Sequence, residues 1–428
     1  MLEKLTKLLI FCSIFLTDYR MFGLSITTIV FLLCTVIIIL LHKNKSIKPI
    51  FLKDNIKKYL LIILALSIFT YFFKSGNIEH IKEVYYYASG AKPDFLYLKM
   101  VLNGVIFILT ALLAFSIGLA YKGDDEGIIR IIKFSINLIT LNALINISAW
   151  GIQTGGSIGR YNFILPISSS FGINIQWSIL GFILQLSTIK EIKKISIDTI
   201  KLAILFFSIL IIISRQNQLM FIVIFAIYLY LSSKRNKNFK SNAFFVILIS
   251  SITYIGFKFI DITVFDTYKT MLNRQGDDFS SRYNILISAL NIFKENILFG
   301  VGYGMFAGYN KTTILVTSAN VYLASIHNGI IAILTEMGII GLILNFILAI
   351  KIIRRMNFVR KLDSSYYLNS NKYIIAIFTF ISVNIFSALI SNYFLFPPPS
   401  EYSYYGIASI SWLLIGVLIS FSKKHNLQ

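Results

Sequence analysis

Three arginines, Arg160, Arg215 and Arg282, stand in segments between apolar runs where other cations are sparse. A guanidinium at the surface of a bilayer costs free energy unless it snorkels to water or finds an anion. Its planar fork takes a phosphate in bidentate fashion. A cluster of such forks suits a diphosphate, and each one singly also suits ordinary lipid headgroups. His327, followed by Asn328, is a group that titrates near neutral pH. On residue type alone it is either an interfacial polar anchor or a proton-transfer group. Glu336 lies in the same apolar run, as a partner for a cation or a polar residue satisfied within the bundle. Gly338-Ile339-Ile340-Gly341 follows it.

The chemistry that is missing narrows the field. There is no P-loop and no G-x-G-x-x-G. Gly300-Val301-Gly302-Tyr303-Gly304 is glycine-rich but lacks a following Lys-Ser/Thr. This argues against ATP hydrolysis and against a nucleotide-sugar donor, so the substrate must arrive already activated. The two cysteines, Cys12 and Cys34, lie inside apolar runs and have no metal-ligand spacing. Neither a metal nor a cofactor is expected.

The elements that must hold these residues are membrane spans. Of 428 residues, 56% are hydrophobic and only 14% charged, against about 25% charged in soluble domains. That excludes a soluble enzyme, a disordered chain and a disulfide scaffold. Runs long enough for the bilayer lie near 5–19, 22–41, 59–74, 99–121, 128–150, 171–189, 197–213, 217–232, 243–260, 327–350, 373–394 and 404–422. The first run has no small-residue cleavage site after it and reads as a retained span. The expected fold class is an all-α polytopic membrane protein of about twelve transmembrane helices. With the N-terminus inside, alternate loops hold 27 of the 40 lysines and arginines but only 8 of the 19 acids. An odd number of spans would scramble that asymmetry, so both termini are expected to be cytoplasmic. The net charge of +21 then reflects cytoplasmic loops beside an anionic leaflet, not nucleic acid.

The chain reads as a single integral membrane domain over 1–428 with four outer segments. Residues 74–98 are Tyr-rich, and 151–170 form a Gly/Ser-rich loop around Arg160. Residues 214–218 form a tight turn at Arg215. A large extracytoplasmic loop, 261–326, precedes the tenth span, and loops of that length are usually functional. Within it, Ser281–Gly300 places Ile285, Leu286, Ala289, Leu290, Phe293 and Ile297 at helical spacing. Arg282, Asn284, Asn291, Lys294 and Glu295 are assigned to the opposite face. Such a helix could lie in the interface plane. In a continuous helix Gly338 and Gly341 would sit about 16 Å below His327. They would share one face and admit a close helix neighbour.

These residues together resemble the bacterial O-antigen polymerase/ligase family. The resemblance is carried by Ser281-Arg282-Tyr283, the helix through Asn296, Gly300-Val301-Gly302, His327-Asn328, and Glu336-Met337-Gly338-Ile339-Ile340-Gly341. Ser214-Arg215 is similar to that family's Ser-Arg after a span, and Gly159-Arg160 more loosely to its earlier outer-loop arginine. The match runs in order over about 155–350. It implies glycosyl transfer on the outer face of the cytoplasmic membrane, from a glycan carried on undecaprenyl diphosphate. Arg160, Arg215 and Arg282 would hold the diphosphate. His327 would deprotonate or orient the acceptor hydroxyl, with Asn328, Glu336, Gly338 and Gly341 in support. Such a leaving group needs fixed positive charge, and the acceptor needs a base poised near the working pH. Partners implied are the lipid-linked glycan and the bilayer, with a flippase and a chain-length regulator beside them.

The expected activity is polymerisation of lipid-linked repeat units into O-antigen or capsular polysaccharide. The near alternative is an O-antigen ligase joining polysaccharide to lipid A–core. A flippase or sugar transporter is a third reading. It would show repeated halves and broken helices at the bilayer midplane, whereas here the polar residues gather at the outer rim. A scaffold would need neither the outer arginines nor His327.

Overall fold

A computed structural model describes residues 2–16, 20–21, 24–40, 54–73, 96–121, 125–154, 171–189, 196–211, 215–233, 277–309, 313–316, 319–322, 326, 328–361, 371–387 and 405–424. In chain order the helices are α1 (Leu2–Phe15), α2 (Ile26–Leu40), α3 (Asn55–Phe73), α4 (Leu96–Ala120), α5 (Asp125–Thr154), α6 (Phe171–Thr188) and α7 (Ile197–Ile211). They continue with α8 (Arg215–Ser233), α9 (Asp277–Glu295), the single turn α10 (Phe306–Tyr309), α11 (Gly329–Lys361), α12 (Asn371–Ser387) and α13 (Tyr405–Lys424). Eleven of the twelve expected spans coincide with a helix. The ninth, 243–260, lies outside the described residues.

The all-α expectation needs one amendment. Two short antiparallel pairs interrupt the helices. β1 (Arg20–Met21) pairs with β2 (Leu24–Ser25) between α1 and α2. β3 (Thr313–Val316) pairs with β4 (Ala319–Tyr322), with Thr313 opposite Tyr322 and Val316 opposite Ala319. The β-branched stretch Thr313-Ile314-Leu315-Val316 suits a strand, but the polar character of the loop hid it.

The helices are apolar on both faces. Ile224 on α8 and Leu348 and Ile352 on α11 are fully buried. Yet Leu219, Ile222, Val223 and Ile227 on α8, and Ile339, Ile343, Phe346 and Ile350 on α11, are exposed at helical spacing. Water would penalise such stripes heavily; lipid does not. Two helices are long and apolar enough to cross a bilayer by length and composition, Glu126–Ser148 and Gly329–Lys361. Hydroxyls inside the helices satisfy themselves locally: Ser67, Thr140, Thr379 and Ser411 each donate to the carbonyl four residues earlier. The protein is a membrane protein built from such helices.

Packing joins helix ends in a consistent sense. Glu3 at the start of α1 pairs with Arg130 near the start of α5 at 3.1 Å and with Lys7 at 2.7 Å. Those two cations hold the Glu3 carboxyl below its ordinary value. Asp54, which caps α3 by accepting from the Ile56 N–H at 2.8 Å, pairs with Arg355 near the end of α11 at 2.6 Å. Each contact joins two ends that the span alternation assigns to one side. Helices α4 and α13 meet most closely: a Cβ on Gly118 would fall 2.2 Å from the Leu413 carbonyl oxygen.

Candidate functional site

The expected tenth span is present but broken. Helix α11 breaks at Gly338, which holds φ 66° and ψ −169°. This region is essentially closed to residues with a Cβ. The chain therefore makes an upper half-helix, residues 329–337, and a lower one, residues 339–361. Asn328 caps the upper half: its Oδ1 accepts from the Ile331 N–H at 3.1 Å.

A break in an apolar helix strands carbonyls above it and N–H groups below it. Here the segment after α9 supplies four partners. Val301 N–H donates to the Thr335 carbonyl at 3.0 Å and Gly302 N–H to that of Glu336 at 2.8 Å. Below the break, Ile339 N–H donates to the Ile297 carbonyl at 2.9 Å and Ile340 N–H to that of Leu298 at 3.3 Å. In an unbroken helix Ile339 and Ile340 would have donated to Thr335 and Glu336 themselves. Two helical bonds are thus exchanged for four bonds to an inserted turn.

That exchange explains why two glycine motifs far apart in sequence occur together. A Cβ on Gly338 would lie 2.2 Å from the Leu298 carbonyl oxygen, and one on Gly300 (φ 66°) would lie 2.4 Å from the Glu336 carbonyl carbon. Each glycine makes room for the other's backbone. Beside Gly341 the nearest neighbour is the Met337 side chain, 2.2 Å from where a Cβ would be. The turn is also held from α3. Tyr71 donates its hydroxyl hydrogen bond to the Tyr303 carbonyl, and the rings of Phe69 and Phe299 lie 5.4 Å apart.

Helix α9 carries position 282 to this assembly. It spans Asp277–Glu295, starting four residues earlier and ending five residues earlier than expected. Its buried stripe is Ile285, Ala289 and Ile292, while Ile287 and Ile297 are exposed. At about 100° per residue, position 282 falls within about 20° of Ala289. Asn284, Asn291, Lys294 and Glu295 are exposed, as expected. The stripe packs on α11, where the Thr335 hydroxyl is shared between the Ile331 carbonyl of its own helix at 2.7 Å and the Ala289 carbonyl at 3.2 Å. The helix is therefore held by protein along this face.

Contacts advance together along the two segments, Ala289 with Thr335, then Ile297 with Ile339 and Leu298 with Ile340. The upper half-helix and α9 run in the same sense. Arg282 and Asn328 each lie seven residues before the Thr335–Ala289 contact, about 10 Å along their helices. Both are at the same end of the pair.

The remaining site residues divide as follows. Arg215 is the first residue of α8, so Arg215–Gln218 form the opening turn of a helix and not the tight loop expected at 214–218. Helix α8 packs on α6 and α12, and α12 packs on α11. Glu336 is buried, and its carbonyl is the one held by Gly302. Arg160 and His327 lie outside the described residues, as does most of the 151–170 loop, whose first four positions extend α5 to Thr154. Thr335 and Tyr71 were missed by sequence reasoning. A threonine one residue before Glu336 was the only local signal for the first.

Residues 200–346 match the family model described as O-antigen ligase. The matched stretch is about a third of the chain and encloses Arg215, Arg282, the 300–302 turn and the Gly338 break. No curated protein matches the chain. The O-antigen ligase match supports the O-antigen polymerase/ligase family indicated by the motifs. It supports a polymerase- or ligase-type function and a glycosyltransferase-like enzyme acting on lipid-linked glycan at a membrane.

Proposed function

We propose that the protein polymerises undecaprenyl-diphosphate-linked repeat units into O-antigen or capsular polysaccharide on the outer face of the cytoplasmic membrane. The observation that carries this reading is the shared end of α9 and the upper half-helix. There Arg282 and Asn328, the residue bonded to His327, stand on two segments tied through Thr335, Gly300 and Gly338.

Arg282 binds the departing diphosphate, joined by Arg215 from the start of α8 and by Arg160. His327 takes the proton of the acceptor hydroxyl as its oxygen bonds to the anomeric carbon. The bond from that carbon to the diphosphate oxygen breaks, and its electron pair stays on the phosphate. Charge develops on the leaving group, so fixed guanidinium forks lower the barrier without reorganising. The end of the bundle where Asp54 meets Arg355 is cytoplasmic in this reading, and the site lies at the opposite end. The glycosyl diphosphate bond of the donor supplies the driving force, with no nucleotide and no metal.

Purified protein in vesicles, given lipid-linked repeat units with chelator and without nucleotide, should lengthen the lipid-linked glycan. In cells, Arg282→Ala should abolish lengthening while single units accumulate on the outer leaflet. Accumulation inside would favour a flippase, and dependence on ATP would sink the activated-donor argument. The description of the matched family favours a second reading, transfer to lipid A–core. The product decides between the two.

A further inference from the structure

Helix α3 and the lower half of α11 lie side by side and antiparallel, in a register that three contacts fix. The Arg355 guanidinium meets the Asp54 carboxylate at 2.6 Å. One turn nearer the break, the Lys351 ammonium stands over the Tyr59 ring, 5.2 Å from its centroid. At the break itself Phe69 packs on Phe299 at 5.4 Å, next to Leu298, whose carbonyl accepts from the Ile340 N–H. From Asp54 to Phe69 the pair runs together for about 22 Å, most of the thickness of a hydrocarbon core.

Each helix shows lipid an apolar stripe. Leu61, Ile62 and Ile68 on α3 and Ile343, Phe346 and Ile350 on α11 are exposed. At the same end both stripes close on a cation. Lys58, one turn before Ile62, and Arg354, one turn after Ile350, are exposed. With Tyr59 level with Lys351, Lys58 and Arg354 differ in height by about 3 Å. Counted from those facing points, Lys58 lies about 100° round α3 and Arg354 about 60° round α11, in the same helical sense. In an antiparallel pair equal senses lead to the same side of the seam. The two cations therefore flank one furrow, with half-buried Lys351 between them.

These are not loop charges, and they have no acid to neutralise them. Arg355 is committed to Asp54, whose side chain is 0% exposed. No carboxylate pairs with Lys58, Lys351 or Arg354 among the described residues. Exposed Ile350 and Phe358 bracket Arg354 on the lipid-facing stripe, so its stem lies along acyl chains while its head reaches the headgroups. Three positive groups at one height, at the foot of an apolar furrow, match a ligand with an anionic phosphate and hydrocarbon tails. A soluble anion would leave the furrow bare, and a zwitterionic lipid would bring a cation of its own.

We propose that the foot of the α3–α11 furrow binds one anionic phospholipid, its phosphate between Lys58, Lys351 and Arg354 and an acyl chain along the exposed stripes. The lipid ties α3, which carries Tyr71, to the half-helix that begins at the Gly338 break. The site does not depend on the glycosyl-transfer reading; only its placement in the cytoplasmic leaflet follows the span alternation.

Native mass spectrometry of the full chain, titrated in detergent with phosphatidylglycerol and separately with phosphatidylcholine, tests this. One phosphatidylglycerol should be held about tenfold more tightly or better. Lys58→Gln/Arg354→Gln should lower that affinity by about tenfold or more, since each basic group near a surface contributes about fivefold. Lys4→Gln/Lys133→Gln removes the same charge from exposed positions on α1 and α5 and should leave it unchanged. In phosphatidylcholine vesicles the Lys58/Arg354 double should melt with wild type; added phosphatidylglycerol should raise the melting temperature of wild type alone. Equal affinity for the two lipids, an equal loss in the control double, or a lipid-induced melting shift that survives in the Lys58/Arg354 double overturns the proposal. Displacement of the lipid by millimolar inorganic phosphate would leave only a soluble-anion site and also overturns it. The charge-preserving pair Lys58→Arg/Arg354→Lys covers the case in which the glutamine double unfolds. It should bind as wild type does, and loss of the lipid from it overturns the proposal.

Discussion

Gly338→Ala should be the most informative single change outside the arginines. An alanine held at φ 66° and ψ −169° costs about 1–3 kcal/mol in backbone strain. Its Cβ would fall 2.2 Å from the Leu298 carbonyl oxygen and 2.5 Å from the Phe299 nitrogen. The neighbours are backbone atoms, so the inserted turn must retreat. Retreat breaks at least the two weaker of the four cross-bonds, at about 1 kcal/mol each. The broken arrangement is then disfavoured by about 3–5 kcal/mol. A rejoined helix, with Ile339 and Ile340 donating to Thr335 and Glu336, becomes the better structure. Hydrogen exchange should read this directly. In the variant the amides of Val301 and Gly302 should lose protection while those of Ile339 and Ile340 keep it. Turnover should fall by at least about a hundredfold, because position 282 and Asn328 would no longer share a support. Unchanged protection at Val301 and Gly302, with wild-type turnover, would refute the reasoning.

Arg282→Lys should be impaired nearly as much as Arg282→Ala, since an ammonium cannot reproduce the bidentate fork; full turnover in the lysine variant would remove that argument. His327→Ala should lower kcat with donor KM little changed, and a wild-type kcat would demote His327 to an anchor. Tyr71→Phe should cost about 1 kcal/mol in thermal unfolding through the lost bond to the Tyr303 carbonyl, and no shift in melting temperature would place the turn's support elsewhere. Glu3 has a depressed folded pKa, so its tie between α1 and α5 is fully present above its unfolded value, near 4.5. The tie is lost as pH falls through the lower folded value. Acid unfolding of wild type and Glu3→Gln should therefore diverge above that window and converge below it.

Hydropathy located the helices well because each span must satisfy its backbone alone, and a run such as Ile415–Ile419 has no other stable form in lipid. The break at Gly338 was invisible to the same logic. A glycine between Met337 and Ile339 reads as part of a helix until the turn that replaces its hydrogen bonds is known. That turn lies some forty positions earlier, and only Gly300-Val301-Gly302 hints at it. The buried stripe of α9 was legible through Ile285 and Ala289, but its extent was not, because the helix starts at Asp277 and stops at Glu295. The start of α8 was misplaced because Gln216-Asn217-Gln218 are turn-like in type, although an open helix end tolerates them well. What the ordered motifs did capture was the set of backbone positions where glycine is obligatory, and those positions are where the structure ties distant segments together.

The β3–β4 hairpin forms a small lobe between two segments tied to each other, residues 297–302 before it and 335–340 after it. Residues can be added to or deleted from such a lobe without shifting either stem, as a hairpin's tip changes while its base holds. Descendants of this chain could therefore vary the lobe freely, trialling new glycan preferences above a transfer apparatus that stays in place.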